Sequence, residues 1–155
     1  MGTKVHEFKK SLSKGKKAEA EFYELFKDKV EQLDGFMSDF RVLETGAGLE
    51  LKTDFYDPSK TANYFMERFS YADQPGGPHQ ALDKGSKWFI YWFPLTMEIH
   101  AWKTSTLVRR LDSICKDRYT VNVQNSSHTT RGYKVARTEL EDIEVDIMDI
   151  LKGKI

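Results

Sequence analysis

The sequence predicts an α/β domain in which helices cover a small sheet, and three of its patterns carry that expectation. Ala18, Phe22, Leu25, Phe26, Val30 and Leu33 recur at spacings of three and four, the stripe of an amphipathic helix. From Leu49 to Phe55 apolar and polar residues alternate strictly, which is the period of a strand with one covered face. KWFIYWFPL, residues 87–95, is almost continuously apolar and reads as a strand buried on both faces.

Taken in order, a helix is expected from Lys16 to Leu33, stopped by Asp34-Gly35. A strand follows from Phe36 to Leu43, and Gly46-Ala47-Gly48 reads as the turn into the alternating strand. Asp57-Pro58-Ser59 is a turn signal, after which NYFMERFSY is aromatic and extended in character. Gln74-Pro75-Gly76-Gly77-Pro78 is the sharpest break in the chain. Beyond it, HQALDKGS forms a short helix closed by Gly85 and leads into the apolar strand. Residues 103–117 make a further amphipathic helix with Leu107, Val108, Leu111 and Ile114 inward. Residues 119–135 are polar and partly β-like, and 137–152 read as an acidic helix. The order is helix, three strands, helix, strand, then appended elements. One domain of 155 residues is expected, with a basic arm over 1–15, a core over about 16–95 and C-terminal helical additions over 96–155.

Composition narrows the function classes. Net charge is zero, with 24 basic and 24 acidic side chains, which argues against a generally basic nucleic-acid coat. Charge is nonetheless uneven: residues 1–17 hold six lysines and one Glu, while 137–155 hold three basic and six acidic residues. No run of about 18 uncharged apolar residues exists to span a membrane, and the first residues lack the apolar core of a secretory signal. These features predict a cytoplasmic protein. Cys115 is the single cysteine; it forms no internal disulfide and reads as a small core residue.

The chemistry-bearing residues lie on the predicted hairpin. Glu50 and Lys52 stand two residues apart on one strand face, and Asp39 lies on the preceding strand. A two-residue turn at 46–47 would set Asp39 opposite Asp54; a bulge would instead draw it level with Glu50, leaving Asp54 a spare ligand. Charges on a covered face are costly unless paired or metal-bound. Two acids can hold Mg²⁺, which polarises a phosphate and sharpens a water nucleophile, and a lysine beside them can handle that water.

The succession KGKKAEAEF, SDF and GLELKTD resembles the PD-(D/E)xK nuclease superfamily, over roughly residues 15–95. The resemblance implies a restriction endonuclease-like core and a Mg²⁺-dependent nuclease acting on DNA, with Mn²⁺ able to substitute. It matches Asp39, Glu50 and Lys52 to the motif, and Glu19 to an acid that many members carry on the first helix. Ser38 stands where the motif has proline. Gln80 resembles a glutamine found on the helix after the third strand, and with Lys84 it would touch substrate. Lys16 and Lys17, with the rest of the basic arm, would hold phosphates. The long aromatic segment resembles small phage-encoded members, and symmetric double-strand cutting would call for a homodimer. The rivals are a non-catalytic DNA- or protein-binding module with the same fold, and a structural protein with a charged sheet face.

Glu67 is a further ligand candidate, or pairs with Arg68 or a surface lysine. His6, His79, His100 and His128 show no spacing that makes a zinc site. Trp88, Trp92 and Trp102 read as core rather than as base-stacking platforms. No phosphate loop of the GxxxxGK[ST] kind is present. The arm makes the first test. If Lys9, Lys10, Lys14, Lys16 and Lys17 contact phosphates, deleting residues 1–14 weakens DNA binding. The slope of log affinity against log salt then flattens by about 0.9 for each phosphate that is no longer neutralised. An unchanged slope marks the arm as a solvated tail.

Overall fold

The computed structural model describes residues 15–34, 37–71, 74–115, 121–124 and 129–155. Lys9, Lys10, Lys14, His6 and His128 lie outside the described residues.

Residues 15–26 form helix α1. Strands β1 (Val30–Gln32), β2 (Phe40–Val42) and β3 (Gly48–Thr53) follow as an antiparallel meander. The chain then leaves this sheet through β4 (Asn63–Tyr71) and β5 (Gln74–Pro75), passes through helix α2 (Gly77–Asp83), and returns as β6 (Trp88–Phe93). β6 lies parallel to β3, in register from Leu49↔Trp88 to Thr53↔Trp92. β7 (Glu98–Lys103) turns back on β6, and helix α3 (Thr104–Cys115) comes next. β8 (Val121–Gln124), β9 (Thr129–Ala136), β10 (Glu144–Val145) and helix α4 (Ile147–Leu151) complete the chain. One sheet has the order β1-β2-β3-β6-β7-β10; the other has the order β5-β4-β9-β8.

β6 organises the core. All six of its residues are buried, and because side chains alternate they feed two clusters. Trp88, Ile90 and Trp92 pack with Ala18 and Phe22 of α1, with Val30, Phe40, Val42 and Leu49, and with Ile150 and Leu151 of α4. Phe89, Tyr91 and Phe93 pack on the other face with Tyr64 and Met66 of β4, Val135 of β9, Ala81 of α2, and Leu107 and Leu111 of α3. The large sheet is therefore covered by α1 and α4 on one side, and by α2, α3 and the smaller sheet on the other.

Several sequence expectations need correction. The first helix ends at residue 26, not at Leu33. A spacing of four is even, so Phe26 and Val30 can share a core whether the chain continues as helix or changes to strand. Val30 pairs with Val42, and Leu43 N–H donates to Lys29 O at 2.9 Å, so the ladder takes residues that the helix would have used. Leu25, expected inward, is exposed. The three strands before α2 in the large sheet are thus β1, β2 and β3; NYFMERFSY belongs to the smaller sheet. The acidic helix over 137–152 is instead two short 3₁₀ turns, strand β10 and a five-residue helix. β10 pairs with β7, and Asp146 caps α4 by accepting from Met148 N–H at 2.7 Å, which starts the helix late. Residues 96–155 are not appended helices alone, since they complete the large sheet with β7 and β10. The helix expected at 103–117 is seen over Thr104–Cys115, Lys103 ending β7 and residues 116–117 lying outside the described residues, and the helix closed by Gly85 is present, with Gly85 at φ +86°.

A fully buried central strand makes a sharp stability prediction. Ile90→Ala removes a side chain with 0% exposure and should cost about 2–5 kcal/mol in urea unfolding. Leu95→Ala, at a site 66% exposed, should stay within about 0.5 kcal/mol of wild type. Similar midpoints for the two variants would contradict the assigned layers.

Candidate functional site

The link between β2 and β3 is longer than two residues. Phe40 pairs with Leu49 and Arg41 with Gly48, while Gly46 N–H donates to Val42 O at 2.7 Å and Val42 N–H to Ala47 O at 2.8 Å. This register carries Asp39 level with Glu50, not with Asp54. Phe40 and Leu49 point into the α1 core, so Asp39 and Glu50 point to the opposite face. Asp39 is tied at both ends: its backbone N–H donates to Leu49 O at 3.0 Å, and its Oδ2 accepts from Leu51 N–H at 2.8 Å.

The two carboxyls share a hydrogen bond, and burial sets their protonation. Burial raises Asp39 above the usual carboxylate range, opposed by the Leu51 N–H, by Lys84 and by the bond to Glu50. Glu50 is pushed up to about 8, first by burial and next by the charge of Asp39, with Lys84 offsetting part of this and Glu19 adding to it. Glu19 on α1 is itself raised by burial and by Asp39, against Lys16. The pair therefore retains a proton at a pH where ordinary carboxylates have lost theirs.

Asp39, Glu50, Glu19, Lys84 and Lys16 thus form one electrostatic group. Lys52 lies two residues along β3 from Glu50 on the same face, half-buried. Gln80 is half-buried on α2, four residues before Lys84. Lys17 faces elsewhere, lining a shallow depression with Leu25, Trp92 and Met97. Asp54 is engaged away from the pair, accepting from Tyr91 Oη at 2.5 Å and from Tyr56 N–H at 2.9 Å. Glu67 belongs to the smaller sheet, and its side chain packs on Gly76 ahead of α2.

Among the described residues, no three His, Cys, Asp or Glu side chains converge as a ready cation cage. Mg²⁺ keeps several waters and needs only one or two carboxylates, and the Asp39–Glu50 pair supplies hard oxygens within an acid-rich group. The donor set fits such an ion. No described helix is long and apolar enough to cross a membrane.

Sequence spacing missed a second charged cluster. His100 Nε2 lies 2.6 Å from Glu98 Oε1, and its Nδ1 lies 2.5 Å from Glu144 Oε1 on β10. Burial lowers the His100 pKa, but the hydrogen bonds and charges of Glu144 and Glu98 outweigh it and raise the group overall. Arg137 bonds Glu98 and lies over the rings of Tyr64 and Phe93. His79 meets Asp112 of α3 at 2.8 Å. Glu144 and Asp112 lie 44 and 33 residues from their histidines in the chain, beyond any local motif. Trp88, Trp92 and Trp102 are core residues, as is Cys115.

No family model, curated protein or solved structure matches the chain.

The raised carboxyls make stability depend on pH. Glu50 has a folded pKa near 8 against an ordinary value of 4.5, so its contribution is fully present below pH 4.5 and is lost as pH rises through about 8. In chelator-treated buffer, Glu50→Gln should melt above wild type at alkaline pH, by about 2–4 °C for each kcal/mol relieved. The difference should vanish near pH 4. A constant difference across that range would show that Glu50 is not buried beside Asp39.

Proposed function

We propose that the chain is a Mg²⁺-dependent nuclease hydrolysing DNA phosphodiester bonds, built on a restriction endonuclease-like core. The observation that carries this reading is the meeting of Asp39 and Glu50 across the β2–β3 pair, with Lys52 on the same face of β3. The order α1, β1–β3, α2, β6, with β6 parallel to β3, supports it as well.

In this reading Asp39 and Glu50 hold the cation by carboxylate oxygens. Leu51 N–H fixes one oxygen of Asp39. Bound Mg²⁺ would polarise the phosphate and lower the pKa of a water. Its charge would also take the place of the proton that the pair retains, so binding would strengthen as pH rises toward 8. Lys52 would orient the attacking water, take up its proton and stabilise charge on the phosphate. The water oxygen bonds to phosphorus, the phosphodiester P–O bond breaks, and the leaving oxygen gains a proton. Lys84, at the C-terminal cap of α2, and Gln80, one turn earlier, would meet the neighbouring phosphate of a DNA strand. Glu19 assists from α1.

The test pairs plasmid nicking with Mn²⁺ and DNA titrations on the same preparations. Lys52→Ala should lose about 10²–10⁴ in rate while retaining Mn²⁺ and DNA binding. Cleavage at the wild-type rate would remove Lys52 from the reaction. Binding of DNA without cleavage by either protein, in Mg²⁺ or Mn²⁺, would favour a non-catalytic module.

A further inference from the structure

Beside the charged group lies an uncharged junction where three chain segments cross. Ser38 Oγ and Ser86 Oγ are 2.6 Å apart, and the residues are only 5% and 1% exposed. Ser86 Oγ also lies 3.3 Å from Met37 O. One proton arrangement satisfies both contacts: Ser38 donates to Ser86 Oγ, and Ser86 donates to the Met37 carbonyl. Gly48 fills the third side. A Cβ at Gly48 would stand 2.4 Å from Ser38 Oγ and 3.5 Å from Ser86 Cα, so only glycine lets β3 pass this close.

The placement of the junction along the chain is what gives it meaning. Ser38 immediately precedes Asp39, Gly48 precedes Glu50 by two residues, and Ser86 follows Lys84 by two. Each of the three charged groups that act on one another is therefore anchored within two residues of the same buried contact. Ser86 is fixed in turn, its N–H donating to Ala81 O at 2.9 Å, just past the end of α2. Short stretches of backbone leave little slack, so the relative positions of Asp39, Glu50 and Lys84 follow from how Ser38, Gly48 and Ser86 pack.

We propose that the Ser38–Gly48–Ser86 junction is the positioning device of the Asp39–Glu50 site, clasping the β2 entry, the start of β3 and the exit of α2 so that both carboxylates converge on one cation, with Lys84 held beside them. The inference rests on the reading of Asp39 and Glu50 as cation ligands. Ser38 and Ser86 are positioning residues that touch neither metal nor substrate. Groups that orient metal ligands commonly cost 10–100-fold in affinity when removed, although they touch no metal.

The experiment measures Mn²⁺ affinity calorimetrically for wild type, Ser38→Ala, Ser86→Ala and the double variant, with melting curves and plasmid nicking on the same samples. Leu107→Ala, a core truncation on α3, serves as the destabilised control. Each serine variant should bind Mn²⁺ about 10–100-fold more weakly. The double variant should be no worse than either single, because removing one hydroxyl already opens the clasp. Leu107→Ala should melt lower yet keep wild-type affinity. If the serine variants only melt lower and bind Mn²⁺ like wild type, the positioning role is overturned and the cation site stands. Should an alanine variant fail to fold, the cysteine variant at the same position replaces it, and the same two results decide. If wild type binds Mn²⁺ but cuts nothing, the nuclease reading fails while the affinities still judge the clasp. If wild type binds no Mn²⁺, the cation site and the clasp fall together.

Discussion

The rest of the molecule is arranged around a strand with no wet side. Six consecutive buried residues in β6 send Trp88, Ile90 and Trp92 to one face and Phe89, Tyr91 and Phe93 to the other, so each face has to be roofed. Because β6 runs parallel to β3, the chain cannot return by a tight hairpin and has to cross over. That crossover contains β4, β5 and α2, and it supplies part of the roof. β4 then recruits β9 as its partner, and α3 closes the same cluster. On the opposite face α1 and α4 are enough, since Phe22 alone meets the rings of Phe26, Phe40 and Trp92 at 5.0–5.8 Å.

This arrangement explains why the charged residues of β3 stand in partial burial. β3 lies between β2 and β6, pairing with β2 at Gly48 and Leu49 and with β6 from Leu49 to Thr53. Leu49 and Leu51 serve the α1 core, and alternation commits Glu50 and Lys52 to the other side. The cost of burying carboxylates there is visible in the raised pKa values of Asp39, Glu50 and Glu19. The cluster around His100 makes the contrast. Glu98 and Glu144 are matched by His100 and Arg137, each pair in direct contact, and the network closes on itself. Around Asp39 three acids act on one another, with Lys84 and Lys16 as partial relief. The group around Asp39 is left acid-rich, whereas the balanced one ties β7 to β10 and to the turn at Arg137.

Much of this was legible in the chain. Alternation in residues 49–55 and the apolar run at 88–93 are local properties of side-chain period, and both strands formed where expected. Gly85 after a short amphipathic stretch announced the end of α2 in the same way. The errors have a common origin. Val30 could extend a helix or enter a strand with the same neighbours, and β2 decided by offering a ladder. The acidic tail had helical composition, yet β7 presented a free edge that Glu144 and Val145 completed. Neither partner is visible in a local window.

The sequence by itself determined which strand face bears Glu50 and Lys52, because the period of a strand leaves no choice once Leu49 and Leu51 pack on the core. Tertiary structure decided what meets them. A turn of more than two residues, held by Gly46 and Ala47, placed Asp39 against Glu50 and left Asp54 to the Tyr91 hydroxyl. The crossover placed Lys84 beside the carboxylates, and one buried contact between Ser38 and Ser86 joined segments 48 residues apart. Such pairings depend on how separate elements share a common core, and alternation along any one element does not encode them.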